Sequence, residues 1–268
     1  MGDDLRISWA RLRGRLDALG AIGSTGDGGC ARLALTDADR EGRDLVVTWM
    51  RELGLRVDVD GVGNVTGTWP ADSTEPPVLT GSHIDTVRTG GIYDGNLGVL
   101  AGLEAVETII TSGVALARPV AVAFFTNEEG ARFAPDMFGS LVFVGGLPLE
   151  EALDTVGVDG AVVGDELERI GYVGPMPCPA RPPAAFVELH IEQGPVLEAM
   201  KKPVGVVLGT MGVERHNLRF IGQAAHSGAA PIHLRKDAFL AAAEFALACR
   251  EISIKYSGKT PRTRVVAT

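Results

Sequence analysis

Three short clusters of histidine and carboxylate residues are the part of this sequence best suited to chemistry. They are His83-Ile84-Asp85, Asn127-Glu128-Glu129 and His190-Ile191-Glu192-Gln193-Gly194. Imidazole and carboxylate groups together form a ligand set that divalent transition metals prefer. The residue types therefore indicate a metal centre, provided that the fold brings the three clusters to one place.

The first cluster pairs a histidine with an aspartate two residues later. In an extended segment these two side chains share a face, so Asp85 can orient the His83 imidazole. Nine residues after Asp85, a turn presents Asp94 just before the start of a helix. A lone histidine at a strand end is more often a hydrogen-bonding loop residue than a ligand, so the first cluster is weak support for a metal site by itself.

The second cluster, Glu128-Glu129, ends the apolar run 121–125. Adjacent glutamates in a turn are usually a solvated pair. Opposite a His-x-Asp motif we expect the two carboxylates to have different roles. One binds metal, and its neighbour acts as general base toward the attacking water. Two histidines and two carboxylates suit zinc, manganese, cobalt or nickel better than calcium.

Alternating strands and helices must position these clusters. The apolar runs at 78–80, 119–125 and 185–189 predict three strands, and the spacing of apolar residues over 98–110 predicts a helix. This alternation predicts an α/β fold with a largely parallel sheet. Ligands of such sheets bind beyond the carboxyl ends of the strands, where each cluster lies. The sequence therefore predicts a site for two divalent metal ions at that edge.

The remaining patterns divide the chain into two parts. Helices are predicted over 5–19 and from a cap at Thr36, and a strand over 55–60. Near residue 210 the pattern changes to a strand over 215–220, a glycine- and alanine-rich loop, a helix over 236–252 and a strand over 264–267. We predict a metal-binding catalytic domain over 1–209 and a partial α+β domain over 210–268.

The composition excludes several classes of function. A net charge of -9 on 268 residues is unsuited to a nucleic-acid surface, which requires a basic face. No apolar run is long enough to span a membrane, and the first residues lack the pattern of a secretory signal. Three well-separated cysteines are typical of reduced thiols, so we expect a cytoplasmic protein. Neither a nucleophile elbow nor a nucleotide-binding glycine motif competes with the metal clusters.

At these residues the sequence resembles the M20-type metallopeptidase superfamily, and within it the hydantoinase/carbamoylase amidases. That group includes N-carbamoyl-L-amino-acid amidohydrolases and allantoate amidohydrolases. The matching blocks are GSHIDTVRTGGIYDGNLGVLAGLEA over 81–105, FTNEEGARFAPDMFGS over 125–140, ELHIEQGPVLE over 188–198 and GQAAHSGAAPIHLRKDA over 222–238. The resemblance runs from about residue 19 to the end of the sequence.

The resemblance implies a role for each matching residue. The metal ligands would be His83, Asp94, Glu129 and His190, with Asp94 bridging two metal ions. Zinc would be the preferred metal, and manganese, cobalt or nickel the alternatives. Asp85 would orient His83, and Glu128 would be the general base. Gln193 and His226 would contact the substrate, a small ureido or amide compound with a carboxylate. The second domain would act as a lid and form a homodimer. The implied reaction is hydrolysis of a linear amide or ureido C–N bond.

The sequence departs from the family pattern in its length. Family members continue beyond 400 residues, with a further ligand histidine and the arginine and asparagine that bind the substrate carboxylate. Because these segments are absent from the sequence, we expect this chain alone to be inactive or weakly active. Two alternatives stay open: an M20-type aminoacylase or peptidase, and an inactive remnant that dimerises or binds metal weakly.

Overall fold

The structure is a computed structural model that describes residues 5–210, 212 and 216–258. The chain divides into two compact units, one up to Gln193 and one from Gly194 onward. The domain boundary near Gly209 stays a prediction. No helix in the described ranges combines the length and apolar character needed to cross a membrane.

The first unit contains five strands and six helices among the described residues. In chain order they are α1 (Trp9–Ala21), α2 (Asp37–Glu52), β1 (Arg56–Val59), β2 (Val65–Trp69), β3 (Val78–His83), α3 (Asp94–Ser112), β4 (Val120–Phe125), α4 (Phe138–Val144), α5 (Leu149–Leu153), α6 (Val163–Ile170) and β5 (Ala185–Val187).

A five-stranded mixed sheet in the order β1-β2-β4-β3-β5 organises this unit. The three strands that precede the chemical clusters run parallel, because β3 pairs with both β4 and β5 in that sense. The strands β1 and β2 add antiparallel pairs on the other side of β4. The predicted α/β fold is therefore confirmed, and its parallel part is the part that carries the candidate site.

The hydrophobic core lies mainly on one face of the sheet. Residues Val122 and Phe124 of β4 point into a large cluster that includes residues of α1, α2 and α3, whereas Ala121, Ala123 and Phe125 point to a smaller cluster on the opposite face. This alternation follows from the period of two in a strand. Both faces of β4 are buried, which explains why its sequence is an uninterrupted apolar run.

Local sequence signals set the ends of the helices. The hydroxyl of Thr36 accepts a hydrogen bond from Asp39 N, as the predicted cap requires. Helix α3 begins at Asp94, four residues earlier than the predicted start at Gly98, and ends at Ser112, where Gly113 caps it in a left-handed conformation. Asp94 therefore lies in the first turn of the helix, where the macrodipole favours a negative charge.

The second unit contains three helical elements among its described residues. They are α7 (Val196–Ala199), a 3-10 helix (Ile232–Leu234) and α8 (Ala238–Tyr256). Asp237 caps α8 by accepting hydrogen bonds from the main chain of Phe239 and Leu240. Residues 216–220 adopt no regular strand, so the predicted strand is wrong over its described part. The predicted strand over 264–267 lies outside the described residues.

Candidate metal centre

The three predicted clusters meet at one edge of the sheet. His83 ends β3 and pairs in register with Phe125, the last residue of β4, so Glu128 and His83 emerge close together. Ligand atoms of His83, Asp94 and His190 all lie within 4.8 Å of one another. The sheet thus brings together side chains that are more than 100 residues apart in the sequence.

The His83 ring is buried and held from two sides. Its Nδ1 lies 2.8 Å from the carbonyl oxygen of Asp85, which leaves Nε2 to face the site. The ring packs on the first turn of α3 at Gly95, where an added Cβ would lie 2.2 Å from the imidazole. The Asp85 carboxylate is farther away, at 3.7 Å from Nδ1. Asp85 therefore contacts His83 most closely through its main chain, whereas the predicted orientation by its carboxylate stays a prediction.

The Asp85 carboxylate instead supports the neighbouring cluster. Its two oxygens accept hydrogen bonds from the main-chain N–H groups of Glu128 and Glu129, at 3.2 and 3.3 Å. The turn that follows β4 is further fixed by Asn127, whose side chain donates to the carbonyl of Phe133 at 2.7 Å. One buried aspartate thus ties the end of β3 to the turn that presents both glutamates.

Asp94 and His190 form the more exposed side of the site. His190 Nε2 lies 3.3 Å from Asp94 Oδ1, and its Nδ1 is directed at the carbonyl of Ile191 at 2.7 Å. Gln193 donates a hydrogen bond to the same oxygen of Asp94 at 2.7 Å. Both imidazoles therefore use Nδ1 for a main-chain carbonyl and present Nε2 toward the site, an arrangement common among metal-binding histidines.

The carboxylates of the site strongly affect one another. Glu128 Oε2 lies 3.4 Å from His83 Nε2. Burial and a hydrogen bond with Asp94 raise the pKa of Glu129 to about 7. Burial, followed by the effects of nearby acids, also raises the pKa of Glu128. The hydrogen bond with Asp94 raises the pKa of His190 to about 9. Without a cation, protons must therefore balance the negative charge gathered here.

This donor set fits a divalent metal ion. It combines imidazole nitrogens that face one point with carboxylates whose mutual repulsion a cation would relieve. Glu129 joins the group through its hydrogen bond with Asp94. All four predicted ligands, His83, Asp94, Glu129 and His190, therefore lie in one connected group.

The predicted substrate residue His226 belongs to the second unit. Its Nδ1 accepts hydrogen bonds from the main chain of Gly228 and Ala229, each at 3.1 Å. These bonds shape the loop that carries it. The substrate contact predicted for His226 stays a prediction.

Sequence reasoning missed two glycines that allow the site to form. Gly95 accommodates the His83 ring, and Gly98 lets α3 approach β3 and the chain before His190, because a Cβ at Gly98 would lie 2.6 Å from the Leu189 carbonyl. The spacing of these glycines within an otherwise favourable helix was the available signal. A glycine inside a helix is destabilising and often has a packing reason.

Comparisons with known proteins identify the family of this chain. The model of Peptidase family M20/M25/M40 matches residues 54–266. An N-carbamoyl-L-amino-acid amidohydrolase of Rhizobium meliloti is 45% identical over 243 residues, which cover 90% of this chain and 58% of that protein. A probable allantoate deiminase of Oryza sativa subsp. japonica is 37% identical, over 87% of this chain and 49% of the relative.

A solved structure is similar over most of the chain. A hydantoinase/carbamoylase family amidase from Burkholderia ambifaria superposes with a TM-score of 0.81 at 43% identity, covering 97% of this chain and 64% of that one. The chain thus spans about half to three fifths of the length of the curated relatives it matches. It belongs to Peptidase family M20/M25/M40, within the group of hydantoinase/carbamoylase amidases.

Proposed function

We propose that this chain is the metal-binding part of an amidohydrolase that cleaves a linear amide or ureido C–N bond. The substrate class is N-carbamoyl-L-amino acids or a related ureido acid such as allantoate. The observation that carries the proposal is the convergence of ligand atoms of His83, Asp94 and His190 within 4.8 Å, beside the Glu128 carboxylate. The relatives named for such reactions support the substrate class.

The proposed ligands are His83, Asp94, Glu129 and His190, for two divalent ions. Asp94 lies between His190 and Glu129, which suits a bridging position. When bound, the metal ions would supply positive charge that polarises the scissile carbonyl and acidifies the attacking water. Zinc, the homodimer formed through residues 210–268 and the cytoplasmic location are further parts of this proposal.

Glu128 is the proposed general base. Its carboxylate lies 3.4 Å from His83 Nε2, and burial raises its pKa, which makes the carboxylate a stronger proton acceptor. The Asp85 carboxylate holds the main chain of Glu128, so the carboxylate is presented from a fixed turn. Glu128 would accept a proton from the attacking water and pass it to the nitrogen of the leaving amine.

Substrate recognition is assigned to Gln193 and His226. Gln193 already contacts Asp94, so its amide lies beside the reacting centre of the first unit. A substrate carbonyl or carboxylate could accept a hydrogen bond from its second amide N–H. His226 would contribute a donor to the developing oxyanion.

A matched pair of glutamate variants tests the assignment of base and ligand. In Glu128→Gln, zinc binding is expected to persist while turnover falls by a factor of about 100 to 10,000, because only proton transfer is removed. In Glu129→Gln, zinc binding itself is expected to weaken. Metal content and affinity are measured on this chain, and turnover on this chain and on the Rhizobium meliloti relative with the corresponding substitutions.

The outcomes separate the proposal from its alternatives. Equal loss of zinc in both variants would contradict the role of Glu128 as base. Turnover of an N-acetyl amino acid or dipeptide in preference to an N-carbamoyl amino acid or allantoate would favour an aminoacylase or peptidase. Two bound metal ions without turnover by this chain, together with turnover by the relative, is the expected result for a chain that spans 58% of that relative.

A further inference from the structure

A buried arginine lies behind the candidate metal centre. The Arg32 side chain is fully buried, yet its guanidinium donates hydrogen bonds to main-chain carbonyls, an amide oxygen and the Cys30 sulfur, and to no carboxylate among the described residues. Nε donates to the carbonyl of Ile84 at 2.8 Å, and Nη2 to the Asn96 amide oxygen at 2.9 Å. Nη1 donates to the carbonyls of Leu19 and Ile22, both at 2.8 Å. Buried charges are usually paired with an opposite charge, so this arrangement is unusual.

Arg32 holds the chain on both sides of Asp85. Its guanidinium binds the carbonyl of Ile84, the residue before Asp85. Its main chain pairs with Thr86, the residue after it: Arg32 N donates to Thr86 Oγ1 at 2.8 Å, and Thr86 N donates to the Arg32 carbonyl at 2.9 Å. Asp85 is thereby fixed, and with it the carbonyl that orients His83 and the carboxylate that holds the glutamate turn.

The other end of the guanidinium reaches the turn that carries Asp94. Asn96 lies in the first turn of α3, two residues after Asp94, and accepts a hydrogen bond from Arg32 through its amide oxygen. Its amide nitrogen donates to the carbonyl of Ile92, two residues before Asp94, at 3.1 Å. Asn96 therefore connects Arg32 to the main chain before and after Asp94, so the position of the arginine affects the position of Asp94.

We propose that Arg32 is a positioning residue of the metal centre, which sets the separation between the His83–Asp85 segment and the first turn of α3. The guanidinium is planar and its N–H directions are fixed, so one rigid group determines where Ile84 and Asn96 lie relative to each other. The inference rests on the proposed function, because it requires that His83 and Asp94 bind metal. A lysine keeps the charge but cannot reach both acceptors with fixed geometry.

Metal affinity and stability, measured separately, distinguish positioning from a general structural role. Three variants are compared: Arg32→Lys, Asn96→Ala and, as control, Met50→Ala. Met50 is fully buried in α2 and packs against Gly67 of β2, among strands that carry no candidate ligand. The apo-protein Tm is recorded for each variant. Zinc affinity is then measured by competition with a chromophoric chelator at a temperature well below every Tm, and the visible absorption of bound Co²⁺ reports ligand geometry.

Arg32→Lys is expected to weaken zinc binding about 10- to 100-fold, as for the loss of other groups that orient metal ligands, and to change the Co²⁺ spectrum. Asn96→Ala is expected to weaken zinc binding too, but by a smaller factor, since it removes only one of the contacts of Arg32. This variant still tests the inference if Arg32→Lys fails to fold. Met50→Ala should lower the Tm and leave zinc affinity and the Co²⁺ spectrum unchanged.

Two results would overturn the inference, and they differ from each other. If folded Arg32→Lys or Asn96→Ala binds zinc like the wild type and only the Tm falls, Arg32 has a structural role alone, while the proposed function stands. If the wild-type chain itself binds no zinc, the metal centre fails, and the positioning role fails with it.

Discussion

The two histidines of the site lie in contrasting surroundings. The side chain of His83 is 3% exposed at the end of a central strand, whereas that of His190 is 32% exposed beyond an edge strand. We call His83, Asp85 and the main chain of Glu128 and Glu129 the inner wall, and Asp94, His190 and Gln193 the outer wall. The inner wall is fixed by the core, whereas the outer wall is held mainly by hydrogen bonds among its own residues.

The sheet explains the contrast. β3 has a neighbour on each side and the core beneath it, whereas β5 is an edge strand of the sheet as far as the described residues go, and all three of its residues are exposed. Parallel strands are normally buried on both faces. A substitution in the inner wall should therefore disturb folding together with metal binding, and one in the outer wall should disturb metal binding more than folding.

The largest expected effect comes from Asp85→Ala. The substitution leaves the partly buried N–H groups of Glu128 and Glu129 without their acceptor, which should cost about 2 to 4 kcal/mol of unfolding free energy. The exposed Gln193→Ala in the outer wall should change stability by less than about 0.5 kcal/mol. Urea unfolding of the metal-free chain measures both values. Equal effects on stability would remove the distinction between the walls.

The next effect comes from a methyl group placed between the walls. Gly95→Ala would bring Cβ within 2.2 Å of the His83 ring, so the ring or the start of α3 must move. Overpacking of this kind costs about 1 to 3 kcal/mol, and we expect zinc affinity to fall as well. The control is Gly14→Ala in α1, where an added Cβ meets no atom within 4 Å. Gly14→Ala should stabilise the chain by about 0.5 to 1 kcal/mol through helix propensity. Unchanged zinc affinity in Gly95→Ala would contradict the packing argument.

A smaller effect is the change of stability with pH that His190 and Glu129 cause. It is smaller because both side chains are partly exposed to solvent. His190 has its pKa raised from 6.5 to about 9, so its contribution to stability is complete below pH 6.5 and is lost as the pH rises through about 9. Glu129 has its pKa raised from 4.5 to about 7, so its contribution is complete below pH 4.5 and is lost between there and about 7. Stability of the metal-free chain should therefore fall in both windows.

Two variants and the addition of zinc test which residue causes the loss of stability in each pH range. Glu129→Gln should remove the fall between pH 4.5 and about 7, and His190→Asn the fall between pH 6.5 and about 9. Saturating zinc should suppress both, because bound metal replaces the protons. A pH profile of stability that zinc leaves unchanged would argue against metal binding by these residues.

The sequence was sufficient to predict that His83 and Glu128 lie close together. The strand that ends in His83 and the apolar strand that precedes the turn with Glu128 run parallel, so both residues come to one edge, because parallel strands share their carboxyl ends. It was insufficient for β2, whose Gly67 breaks the strand pattern yet is required by packing against Met50 and Leu55. The hydrogen bonds of the Asp85 carboxylate and the role of Arg32 depend on contacts between segments 43 to 64 residues apart, which no local pattern encodes.

The smallest effect concerns the hydrogen bond between Ser82 and Glu188. It joins β3, which ends at His83, with the segment that leads from β5 to His190. Main-chain pairing of β3 with β5 ends at Thr80 and Val187, and beyond it the Ser82 hydroxyl donates to the Glu188 carboxylate at 2.5 Å. Ser82 is buried while Glu188 is exposed, so this bond connects the fixed side of the site to the more exposed side. A double-mutant cycle of Ser82→Ala and Glu188→Ala should give a coupling energy of about 1 kcal/mol in the metal-free chain. The coupling should fall when zinc is bound, because a metal ion held by the proposed ligands would itself join the two walls. Strictly additive effects in the metal-free chain would mean that the outer wall is positioned without help from the inner one.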